Sequence, residues 1–239
     1  MKLITCSAVF AAALLTTARA DLTIVQQIEG AGPVSEITMK LKGDKARIEA
    51  SPQVASIIDS KTGEMLNILN EQKMVMRTSA AQAKAAAGAI AGSKGQPAAP
   101  AEKVKVTPTG KKETINGFET EEYLSAAPTY KASYWIAKNY PQGAVILKQL
   151  QAMTPEAWGS GAAGTPDFRD FPGLPLRTNI TMGETKIIST IKTIKMDPLP
   201  DSDFTIPPGF KEMKMPNISG MLGKPDASKA AKPAAPPQH

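Results

Sequence analysis

Two methionine pairs and one carboxylate cluster are the residues of this 239-residue chain whose types and spacing could do chemistry. Met74-Val-Met76 and Met213-Lys-Met215 repeat a thioether at every second residue, which on a strand puts both on one face. Thioethers are soft donors suited to Cu(I). The structural role weighs more at this stage, because methionine fills irregular cores and adaptable surfaces. Thr165-Pro-Asp-Phe-Arg-Asp170 holds Asp167 and Asp170 close together with Arg169 between them. The surrounding Pro and Gly mark a surface loop, nothing there separates an acid from a base, and the spacing is not that of a dedicated calcium loop.

What is missing narrows the chemistry further. The only histidine is His239, the last residue, so a Ser-His triad cannot be assembled. The only cysteine is Cys6, which lies in a leader: Lys2 supplies a positive start, Leu3 to Leu15 is mostly apolar, and Ala18-Arg-Ala20 is a small-residue cleavage site. Residues 1–20 are therefore expected to be a signal peptide cleaved after Ala20, which implies a periplasmic or secreted protein with no thiol, no disulfide and no Cys-based zinc site. No other stretch is apolar for the roughly 20 residues a transmembrane helix needs. Removing the leader takes Lys2 and Arg19 and leaves 26 basic against 22 acidic residues, a net charge of +4. These charges alternate along the chain, and aromatics make up only 5% of it, so nucleic acid is not an expected partner. No cofactor and no catalytic residue is expected.

The elements that must carry any site are mostly strands. From Ser35 to Thr78 short alternating segments are separated by turn chemistry at Gly43-Asp44, Ser60-Lys-Thr-Gly63 and Asn70-Glu-Gln72, the pattern of consecutive antiparallel hairpins. Leu22–Glu29 precedes them. Residues 79–102 change to Ala, Gln, Gly and Pro, a short helix capped by Ser79 followed by a linker, inserted between strands. Strands resume from Val104, with Asn116-Gly117 as a hairpin turn whose two positions both need positive φ. Tyr130–Ile136 alternates Tyr134 and Ile136 against Trp135. A core helix is expected from near Pro141, capped by Asn139, with Ile146, Leu150, Met153 and Ala157 at helical spacing, Val145 and Leu147 widening the stripe, and Trp158-Gly159 ending it. Two long strands, Leu174–Met182 and Glu184–Lys195, and an edge strand over Phe204–Phe210 complete a domain spanning 21–223. Residues 224–239 read as a disordered Lys/Ala/Pro tail.

About ten strands with one core helix give an α+β fold that is mainly antiparallel β. A sheet this wide twists and curls, so the expected architecture is a curved, open half-barrel with the amphipathic helix covering its concave face. The inward positions are then Met39, Leu41 and Ile48 in the first hairpin, Tyr134 and Ile136 in the later strand, and Ile146, Leu150 and Met153 on the helix. Together they would line either a filled core or a pocket for an apolar ligand.

Met39-Lys-Leu-Lys-Gly-Asp-Lys-Ala-Arg47, Ile57-Ile-Asp-Ser-Lys-Thr-Gly63, Glu71-Gln-Lys-Met74, Tyr134-Trp-Ile-Ala-Lys138, Gly173-Leu-Pro-Leu-Arg177 and Phe204-Thr-Ile-Pro-Pro-Gly-Phe-Lys-Glu-Met213 follow one another in this order. In this order the chain resembles a bacterial exported family, a domain of unknown function, within the periplasmic lipoprotein-carrier (LolA/LolB-like) superfold. The resemblance implies the half-barrel and a life in the cell envelope, and it carries no catalytic residues. The expected function is a non-enzymatic binding protein whose partner is a lipid or a lipoprotein acyl chain. The alternatives are a structural or interaction protein of the envelope with a filled core, touching another protein or the cell wall, and the Met-based copper reading.

Overall fold

A computed structural model describes residues 21–30, 32–83, 85, 105–127, 130–153 and 170–213. The expected leader, most of the 79–102 insertion, the 165–170 cluster apart from Asp170, and the tail lie outside these residues. Within them, β1 (Leu22–Glu29), β2 (Ser35–Lys42), β3 (Lys45–Glu49), β4 (Val54–Asp59), β5 (Glu64–Leu69) and β6 (Met74–Thr78) form the expected antiparallel series. After them come β7 (Thr107–Ile115), β8 (Phe118–Ala127), β9 (Tyr130–Ala137), helix α1 (Gly143–Ala152), β10 (Leu174–Met182), β11 (Thr185–Lys195), a 3₁₀ turn (Asp201–Phe204) and β12 (Lys211–Met213).

All twelve strands belong to one open sheet, in the order β12-β6-β5-β4-β3-β2-β1-β11-β10-β9-β8-β7. The return of β11 to β1 joins the two halves, with Ile24 opposite Met39 on one side and Ile194 on the other. Every pair is antiparallel except β12, which runs parallel to β6. At the β7–β8 turn Asn116 and Gly117 sit at φ 51° and 82°, as the dipeptide requires.

The sheet is strongly curled at its β7 end. Glu113 on β7 and Arg177 on β10 are three strand spacings apart, about 14 Å along a flat sheet. Yet the Arg177 guanidinium donates to the Glu113 carboxylate at 2.8 and 3.0 Å. Asn116, in the β7–β8 turn, reaches further still and donates to the Ile191 carbonyl of β11 at 2.5 Å. Only a sheet that rolls back on itself makes both contacts.

Two boundaries differ from expectation. Phe204–Phe210 is not a strand: its first residue closes the 3₁₀ turn, and the edge strand is Lys211–Met213 instead. Pro207 and Pro208 have no N–H to give a ladder, so pairing begins beyond them. The core helix begins at Gly143, behind a left-handed Gln142 (φ 55°) with no side-chain cap, so neither Pro141 nor Asn139 opens it. Tyr140 takes up one free donor instead, its carbonyl accepting from the Gly143 N–H at 3.0 Å. Val145 is exposed while Leu147 is buried, and Ala157 to Gly159 lie outside the described residues. Ser79 does cap the helical residues 80–83, with Gln82 answering: the Gln82 N–H donates to Ser79 Oγ, and the Ser79 N–H donates to Gln82 Oε1 at 2.9 Å.

Candidate functional site

Three apolar clusters organise the described residues. The largest joins Leu22 and Ile24 of β1, Leu41 of β2, Ala46 of β3 and Ile58 of β4 to Ile146 and Leu147 of α1 and to Leu174 and Leu176 of β10. A second holds Tyr123, Ala132, Tyr134, Ile136 and Phe171. The third, Ala55, Ile57, Ile68 and Val75, is covered by Ile206 and Phe210 of the segment after the 3₁₀ turn. Adjacent residues Ile57 and Ile58 fall in different clusters, as do Met65 and Leu66, so β4 and β5 are packed on both faces.

That C-terminal covering segment is held by charge as well as by apolar contact. Lys42 Nζ pairs with Asp201 at 2.8 Å, Lys40 Nζ with Asp203 at 3.0 Å, and the Leu199 N–H donates to Asp21 at 2.7 Å. The hydrogen bond from Lys42 holds the Asp201 carboxyl below the ordinary carboxylate range and raises Lys42 itself. Beside Phe204, an open depression of about 440 Å³ is lined by Lys42, Asp44, Lys45, Asp59, Lys61 and Asp201. Its cations and carboxylates balance one another, and Asp59 is committed to its own turn, accepting from the Lys61 and Thr62 N–H groups.

The helix end of the largest cluster lies where the sheet splits. β10 pairs with β11 only from Arg177 to Met182, and β10 carries a bulge between Pro175 and Arg177. Below that point Ile191 has no ladder partner on β10, and Asn116 takes its carbonyl. The β7–β8 hairpin therefore closes over the split, fastened by Arg177, which also reaches Thr190 Oγ1 at 3.3 Å. Under its tip Ile115 is buried and Phe118 packs against Tyr140 with ring centroids 4.6 Å apart. Burial raises the Tyr140 hydroxyl above its ordinary value, so it stays protonated.

The expected lining residues divide between two places. Leu41 and Ile146 are buried in the largest cluster, and Met39, Ile48, Leu150 and Met153 pack against it while keeping some exposure. Tyr134 and Ile136 lie in the second cluster, with Tyr134 against Phe171 at 4.9 Å. Alternation on β9 explains the division: Trp135 and Ala137, the intervening residues, belong with the helix. Among the residues this expectation omitted, Leu174 and Leu176 carried a signal, since both flank Pro175 in a strand of period two. Phe118 and Tyr140 carried none, because only the curl brings the hairpin beside the segment that leads into the helix.

Among the described residues the polar groups beside these clusters form ion pairs and hydrogen bonds between neighbouring segments. Glu122, 9% exposed, accepts from Thr109 Oγ1 at 3.0 Å and has Lys111 at 3.6 Å. Glu121 is held below the ordinary carboxylate range by the Lys138 ammonium at 2.6 Å, and Lys138 also stands over the Tyr123 ring. These are pairs that fix strands in register. Among the described residues, no three His, Cys, Asp or Glu side chains gather as a metal site, and no helix is long and apolar enough to cross a membrane.

No curated protein matches the chain significantly. Among solved structures it aligns with PNGF-II at 14% identity over 85% of this chain and 33% of that one, with a TM-score of 0.41. The chain thus spans about a third of the length of PNGF-II. It also aligns with a DUF1329 family protein from Desulfovibrio piger (12% identity, 80% and 91% covered, TM-score 0.32) and with LprF from Mycobacterium bovis (12% identity, 82% and 92% covered, TM-score 0.32). Scores at this level mark distant likenesses. The family match is of a different order, running from Asp21 through the curled sheet to Phe210 at the end of the covering segment: the chain belongs to the domain-of-unknown-function family DUF4412.

Proposed function

We propose that this protein is an exported, non-enzymatic binding protein of the cell envelope that carries or senses a lipid or another apolar ligand at the helix side of its curled sheet. One observation carries the reading. Around the buried part of the largest cluster stand Met39, Ile48, Met65, Leu150, Met153 and Met196, large apolar side chains packed against it but not buried themselves. Such a partly open apolar rim gains about 0.8 kcal/mol for every CH₂ a ligand buries there. Four of the six are methionines, whose flexible thioethers adapt to chains of differing shape. In this reading α1 lies within the curl, and the split between β10 and β11 admits the chain.

Native mass spectrometry of the protein purified from its own envelope tests this. The expected result is a bound lipid mass, lost in Leu150→Lys while the melting temperature moves by only a few degrees. Ligand-free protein that also fails to take up a fluorescent fatty acid would mean the rim is covered in another way.

A further inference from the structure

The two methionine pairs of the sequence belong to different strands, and the fold brings them to one edge. β12 lies parallel to β6 with Lys211 opposite Met74, Glu212 opposite Val75 and Met213 opposite Met76. Met74, Met76 and Met213 therefore share a face, since alternate residues of a strand and registered residues of paired strands point the same way. The register is fixed from the other face. Arg77 Nε donates to Glu212 at 2.7 Å and its Nη2 at 3.2 Å, and Arg77 also pairs with Glu64. The Lys211 N–H adds a bond to the Lys73 carbonyl at 2.9 Å.

The apolar rim of the largest cluster takes up four other methionines but not these three. Met39, Met65, Met153 and Met196 pack against the largest cluster. Val75, between Met74 and Met76, is fully buried in the third cluster, so its two neighbours face away from that core. Among the described residues Met74, Met76 and Met213 join no cluster, and Met213 is 41% exposed. Three thioethers thus share one sheet edge outside these clusters, two of them half-buried and Met213 open to solvent.

We propose that Met74, Met76 and Met213 form a Cu(I) site at the β6–β12 edge. Neighbouring strands lie about 4.8 Å apart, and the three rotatable bonds of methionine let the sulfurs converge on one ion. Neutral, soft donors favour Cu(I) over Zn(II), Mg(II) or Ca(II), which need nitrogen, thiolate or oxygen ligands. Lys211 shares the face, but its long stem keeps the ammonium in water. The site is separate from the apolar rim and stands or falls without it.

The test is anaerobic titration of Cu(I), presented as its bicinchoninate complex, into the full chain carrying Cys6→Ser, which leaves thioethers as the only sulfur donors. Transfer of one equivalent is expected, weakened at least ten-fold in Met76→Leu and in Met213→Leu and abolished in the double variant. Met39→Leu and Met65→Leu, at the apolar rim and on other strands, should take up Cu(I) as the parent does. Leucine is close in volume, so the fold should hold. Should the double variant not fold, methyl NMR of the parent supplies the second reading, with the Met74, Met76 and Met213 methyl signals shifting on Cu(I) addition while those of Met39 and Met65 stay. No transfer at micromolar protein, transfer unchanged in the double variant, or shifts confined to other methionines would overturn the site.

Discussion

Single residues show where reading side chains by type succeeds and where it stops. Ile146 and Leu150 were legible as one helical stripe, because spacing alone decides which residues share a helix face. Tyr134 and Ile136 were legible as one face of β9, but spacing could not say which face meets the helix. Gly173 is a sharper case. It entered the sequence reading only at the head of Gly173-Leu-Pro-Leu-Arg177, yet a Cβ there would stand 2.4 Å from the Ala137 carbonyl oxygen and 2.7 Å from Lys138 Cα. The obstacle is backbone on both counts, so no side chain can swing aside. Gly173→Ala should cost more than about 2 kcal/mol, read as a lower urea midpoint with an unchanged slope. A midpoint equal to the parent's would show that β10 shifts freely against β9.

At the scale of elements, the β7–β8 hairpin behaves as a clasp. Its strands were legible from alternation and Asn116-Gly117, and its role was not, because the partners of Glu113 and Asn116 lie 64 and 75 residues away. The bonds to Arg177 and Ile191 are few and partly solvated, so the clasp is the part of the sheet that opens at least cost. Arg177→Ala removes the Glu113 pair, a partly exposed ion pair worth about 1 kcal/mol or less. Amide exchange across β7 and β8 should then rise by up to about five-fold, while β2 to β5 keep the parent's protection. Uniform acceleration across all strands would mean that Arg177 supports the whole sheet and not this hairpin.

Over the whole molecule, ion pairs tie remote segments and make stability depend on pH in a fixed direction. Asp201 and Glu121 have carboxyls held below the ordinary range by Lys42 and Lys138, so their contribution is present above the unfolded-state value and is lost as pH falls through the folded one. Lys42 and Lys138 are raised, so theirs is complete below the unfolded lysine value and is lost only at alkaline pH. The melting temperature should therefore be flat from about pH 5 to 9 and fall on the acid side, less steeply in the double variant Lys42→Gln and Lys138→Gln. An acid limb identical in parent and variant would assign the loss to other carboxylates. The amino-acid sequence by itself determined the strands, their turns and the helix stripe, because alternation, positive-φ dipeptides and helical spacing are local properties. It also determined that the chain has one histidine and one cysteine, since composition does not depend on folding. Only the tertiary structure decided that β11 returns to β1, that the sheet rolls until Asn116 meets Ile191, and that Met213 lies beside Met76. Each is a contact between residues far apart in the chain, chosen by which apolar faces can be buried together, and no local pattern records that choice.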